Sequence, residues 1–114
     1  MERISYAGEH LLTGTEIAHT LVAYAEALAD VGQAAAVEIP TVDEHGRPGV
    51  SQMLVGPASQ LVATRVDMDV PDPRDAALVE ELRIRTARLL GHSPAMTDAP
   101  DDDPDDTFYT DYGI

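Results

Sequence analysis

The chain contains no Cys, no Lys and no Trp, and only five of its 114 residues are aromatic. The lack of Cys excludes a disulfide framework, cysteine-ligated zinc and a thiol nucleophile. The lack of Lys leaves seven Arg as the whole basic complement against 21 acidic side chains, a formal net charge of −14. Binding to DNA or RNA by counterion release needs a basic face, so neither direct nucleic-acid contact nor docking on an anionic membrane is expected. Long apolar runs are missing too: the longest, from Leu21 to Ala25, is far short of the roughly 20 residues that cross a bilayer. The N-terminus, Met1-Glu2-Arg3-Ile4-Ser5-Tyr6, lacks the basic and apolar regions of a signal peptide. A cytoplasmic protein is expected. No glycine-rich phosphate loop is found, and Ser5, Ser51, Ser59 and Ser93 stand in no Gly-x-Ser-x-Gly context, so no nucleotide, no cofactor and no catalytic serine is expected.

What is present is a core-forming composition of small side chains. Apolar residues make up 44% of the chain and 16 of them are Ala, which favours close backbone approach over bulky packing. Arg without Lys, together with abundant Ala, points to a bacterial genome of high GC content. The length suits one domain. Charge then divides the chain. Residues 1–97 hold 14 acidic side chains and all seven Arg, whereas residues 98–114 hold seven Asp and no base. Half the net charge therefore lies in a short C-terminal segment, and the reading is an α+β domain at 1–97 followed by an acidic tail at 98–114.

Local signals give the element order β-α-β-β-β-α. Ile4 and Tyr6 alternate in a short strand from Arg3 to Ala7. Thr13 and Glu16 have capping-box spacing, with Leu12 and Ile17 as the flanking staple, so a helix is predicted from Gly14 to about Val31, ended by Gly32. Strands are predicted at 34–42, 50–55 and 60–66, joined by the turn-forming segments 43–49 and 56–59, which makes a meander. Asp72-Pro73 reads as the cap and first residue of a second helix, which Gly91 ends. The fold class is thus a two-layer α+β domain, an antiparallel sheet of three to four strands with two helices on one face. Val50, Gln52 and Leu54 alternate with Ser51, Met53 and Val55, so neither sheet face is cleanly polar. A sheet apolar on both faces, with helices enough for one, predicts a homodimer.

Few residues carry chemistry. Glu16 and His19 share one helix face at a metal-ligand spacing, but a di-metal bundle needs a second such pair. His45, in Asp43-Glu44-His45, could add a ligand only if the fold or a second copy brings it near, so Glu16, His19 and His45 are weak metal candidates and no metal site is expected. His10 and His92 have no local partner. The tail has neither the central Gly nor the closing Glu of a calcium loop. It ends in Phe108-Tyr109-Thr110-Asp111-Tyr112-Gly113-Ile114, and three of the five aromatics fall in those seven residues. Phe108, Tyr109, Tyr112 and Ile114 therefore read as a partner-binding anchor on an acidic tether. Its destination is either Arg83, Arg85 and Arg88 of the same protomer or a dimer mate, or a basic groove on another protein, and the remaining reading is a tail that only solubilises the chain. The functional expectation is a non-enzymatic protein–protein interaction or regulatory module. The alternatives are an acidic mimic of nucleic acid that occupies a basic partner, and a metal-dependent enzyme or metal-binding domain.

Overall fold

The computed structural model describes residues 1–91. In chain order they form β1 (Glu2–Tyr6), β2 (Glu9–Thr13), α1 (Thr15–Asp30), β3 (Ala35–Val42), β4 (Pro48–Val55), β5 (Val62–Arg65) and α2 (Ala76–Leu89). The strands make one antiparallel sheet in the order β4-β3-β2-β1-β5. The α+β class holds, with five strands in place of the expected three to four. No helix among the described residues is long and apolar enough to cross a membrane.

The additional strand is β2, and it removes the expected capping box. Ala7 and Gly8 both take positive φ, 52° and 82°, the two-residue primed turn whose twist suits a hairpin. Residues 9–13 then run back along β1, from Tyr6↔Glu9 to Glu2↔Thr13. Leu12 sits opposite Arg3 in this ladder and is no helix staple. The buried Thr13 hydroxyl donates to the Pro40 carbonyl at 2.7 Å. Gly14 occupies the N-cap of α1 without a side-chain bond. The cap comes instead from far along the chain: the Thr15 N–H donates to Asp72 Oδ2 at 3.3 Å. A Cβ on Gly14 would stand 2.1 Å from the Pro73 carbonyl oxygen, so only glycine lets that loop approach. Asp72 is therefore spent on α1. The cap of α2 is Asp75, which accepts from the Leu78 N–H at 3.0 Å, three residues beyond the predicted position.

The expected meander is also corrected. β3 and β4 form a hairpin, but β5 pairs with β1 at the opposite edge of the sheet. A short connection, residues 56–61, joins the two edges because the sheet curls. The Tyr6 hydroxyl of β1 donates to the Leu54 carbonyl of β4, although two strands lie between them in the sheet. Flat strands spaced about 4.8 Å apart would put them beyond the reach of one side chain.

The core lies between the sheet and α1, with α2 laid against α1. Ile4, Val37, Ile39, Met53 and Val55 from the sheet meet Ile17, Leu21, Tyr24 and Leu28 from α1 and Val79 and Leu82 from α2. α1 closes as a Schellman motif. The Gln33 N–H donates to the Leu28 carbonyl at 3.0 Å, the Gly32 N–H to that of Ala29 at 3.1 Å, and Gly32 takes the left-handed φ of 68°.

Candidate interaction surface

Both helices sit on one face of the sheet, and alternation sends every second side chain to the other. On β3 and β4 the outward residues are Ala36, Glu38, Pro40 and Val42, facing Leu54, Gln52, Val50 and Pro48. On β1, β2 and β5 they are Arg3 and Ser5, His10 and Leu12, Val62 and Thr64. Val50 is 65%, Leu54 58% and Val62 57% exposed. Three large aliphatic side chains thus stand in water on one face of the sheet, two of them on one strand.

The edge at β4 adds unpaired backbone. Alternate residues of an antiparallel strand turn N–H and C=O toward the neighbouring strand. The Asp43 N–H donates to the Arg47 carbonyl at 3.0 Å, which sets the phase of this hairpin. Gly49, Ser51 and Met53 thus bond to Thr41, Ile39 and Val37, while Pro48, Val50, Gln52 and Leu54 direct their backbone groups away from β3. Of these groups, the Leu54 carbonyl accepts from the Tyr6 hydroxyl and from Ser59 Oγ, the latter at 3.0 Å. Natural edge strands are blunted by charge, bulges or brevity. β4 runs eight residues in continuous register, and no charged residue occurs between Arg47 and Arg65. That uncharged segment holds all of β4 and most of β5, the two edges of the sheet. It is visible in the sequence as a gap in the charge pattern, a signal carried by the whole segment and by no single residue.

A second cluster gathers at the start of α1. The Glu2 carboxylate, buried in the sheet, accepts from Arg65 Nε at 2.7 Å and from the Thr15 hydroxyl at 3.3 Å, with His19 Nε2 at 3.8 Å. The Arg65 hydrogen bond, against the opposing effect of burial, holds the Glu2 carboxyl below its ordinary value of 4.5. The Met1 amino group lies 3.0 Å from Asp72 Oδ1 and keeps the Asp72 carboxyl below its ordinary 3.8. These contacts tie β1, β5, α1 and the loop before α2 together. They border a half-open cleft of about 450 Å³ lined by Thr15, His19, Asp72, Arg74 and Asp75. Every carboxylate that Glu2 and Asp72 contribute is held by a cation or a hydroxyl, which is the arrangement of a structural clamp.

The metal candidates separate. Glu16 pairs with Arg83 at 3.4 Å, His19 turns to Glu2, and His45 sits in the β3–β4 turn. Its neighbour Asp43 is occupied in holding that turn, accepting from the N–H groups of His45 and Arg47 at 2.8 and 2.9 Å and from Arg47 Nε at 3.0 Å. Among the described residues no three His or carboxylate side chains surround a common point that could hold a metal ion. The structure does bring His10 to Ser5 across the β1–β2 ladder, Oγ to Nδ1 at 3.0 Å. No carboxylate of the described residues reaches His10 to complete a triad.

Of the arginines expected to receive the tail, Arg83 pairs with Glu16 and Arg85 with Glu81 one turn earlier. Arg85 and Arg88 border a groove with Tyr24, Leu28 and Leu89 near the end of α2. His92, the tail at 98–114 and its anchor residues Phe108, Tyr109, Tyr112 and Ile114 lie outside the described residues. Comparison with known protein families, with curated proteins and with solved structures finds no match.

Proposed function

We propose that this chain is a non-enzymatic protein–protein interaction module whose working surface is the uncovered face of the sheet at β3, β4 and β5. One observation carries the reading: Val50, Leu54 and Val62 stand exposed on that face, beside an edge strand without charge. An apolar, uncharged strip is unexpected on a chain of net charge −14 unless contact with another surface covers it. The acidic C-terminal segment is proposed as a second, tethered contact, since aromatic anchors on a charged spacer fit a basic, aromatic-accepting groove.

The test is site-directed crosslinking in the native cell, with a photoreactive residue at position 54 and, as control, at the exposed helical position Glu80. The reading expects position 54 to give defined crosslinked products, to this chain or to another, and position 80 to give none. Equal labelling from both positions, or none from position 54 at normal expression, would overturn it.

A further inference from the structure

We infer that the occupant of the β4 edge is a second copy of this chain, joined strand to strand about a two-fold axis at Ser51, so that two five-stranded sheets become one continuous sheet. The inference rests on the interaction-module reading and names its partner.

The argument begins with charge. Two chains of −14 repel, and their closest approach is favoured where neither carries charge. β4 is the long strand that meets this condition, and it is an edge. Its free backbone groups then select the register. Pairing antiparallel about Ser51 sets Val50 opposite Gln52 of the second copy, and Leu54 opposite Pro48. The N–H of Val50 meets the carbonyl of Gln52, the N–H of Gln52 meets that of Val50, and the N–H of Leu54 meets that of Pro48. One carbonyl on each copy, Leu54, would face a position with no donor, because Pro48 has no N–H. That same carbonyl is already satisfied by Tyr6 and Ser59 within its own chain. The two irregularities of the strand therefore cancel against each other. Shifting the axis to Gln52 breaks this match, since the Val50 N–H would then meet the occupied Leu54 carbonyl. In the Ser51-centred register no N–H on the edge lacks an acceptor, and the outward side chains of Pro48, Val50, Gln52 and Leu54 from both copies form one uncharged row across the junction.

The experiment is sedimentation of the full chain over a concentration series. The expected species is a dimer of twice the 12.2 kDa protomer mass. Val50→Pro removes a free-edge N–H and leaves the β3 ladder intact. It is expected to weaken the dimer at least about tenfold while circular dichroism keeps the native signal. Gln52→Glu, at an exposed side chain, sets like charges on either side of the junction and should have the same effect, so the outcome does not depend on how the proline variant folds. Because the chain has no native Cys, Ser51→Cys reads the register directly: it should crosslink to itself under mild oxidation, and Gln52→Cys should not. A folded monomer at every concentration, a dimer indifferent to both variants, or crosslinking from position 52 in place of 51 would each overturn the inference. If the chain is monomeric yet position 54 still crosslinks to a different protein in the cell, the interaction-module reading stands and only the identity of the partner fails.

Discussion

Glu2 shows what one residue contributes to this fold and why its role is not legible in sequence. Glu2 and Arg65 are separated by most of the domain, and only the β1–β5 register, Glu2↔Arg65, sets them side by side. The same holds for Asp72, which reads locally as a helix cap and serves a different helix. The Glu2 carboxyl lies below its ordinary value of 4.5 because Arg65 donates to it. A depressed carboxylate stabilises the folded state fully above its unfolded value, and that contribution is lost as pH falls through the folded one. Glu2→Gln should lower stability at neutral pH by about 1 kcal/mol, because Arg65 is two-thirds exposed and water screens its bond to the carboxylate. The gap between wild-type and variant melting temperatures should narrow steadily from about pH 6 to about pH 3. A gap that stays constant over that range would mean that Glu2 acts by shape and not by charge.

At the scale of the elements, apolar periodicity located most of what forms. α1, β3 and β5 lie within a residue or two of their predicted limits, and the glycine that ends α1 behaves as its position implies. β2 was not legible because Thr13 and Glu16 have the spacing of a capping box, while Ala-Gly is a weak hairpin signal beside Asn-Gly. The helix starts within a residue of the predicted place, but its cap comes from Asp72 and not from Thr13. Strand order failed for a similar reason. A short connection between β4 and β5 suggests neighbours, and only the curl, seen in the Tyr6–Leu54 contact, allows that connection to join opposite edges. Helix α2 has a single side-chain cap in Asp75 and only two fully buried residues, Val79 and Leu82. Asp75→Ala should therefore cost about 1 kcal/mol, read as a lower urea midpoint with unchanged slope. An unchanged midpoint would show that packing on α1 alone sets where the helix begins.

Charge decides the behaviour of the whole molecule. A molecule of net charge −14 that is uncharged along one edge strand separates two kinds of association by their response to salt. Screening relieves repulsion between like chains, so the dimer should tighten severalfold as ionic strength rises from about 0.02 to about 0.15 M. Binding through the acidic C-terminal segment to a basic groove would weaken over the same range. Measuring the dimer constant at both strengths decides between them, and a dimer that loosens with salt would place ion pairs, and not the β4 edge, at its centre. The candidate surface was half legible: the alternation at 50–55 put apolar side chains on both sides of that strand, but it did not show that β4 lies at an edge, which depends on the pairing of β5 with β1, or that the outer face also carries Arg3, His10 and Glu38.

The sheet is continuous in order but not in strength. β2 and β3 are joined by a single bridge, Leu12↔Val42, whereas β3 and β4 pair over their full length. The domain is in effect a book with a narrow spine: β1, β2 and β5 form one leaf, the β3–β4 hairpin the other, and the Tyr6 hydroxyl is the clasp at the open end. The single bridge is not what holds the hairpin: Val37, Ile39, Met53 and Val55 anchor it in the core against the helices, so it stays with the core and not merely with the sheet ladder. A strand seated in this way keeps its free N–H and C=O groups at a fixed spacing, ready for whatever pairs with them.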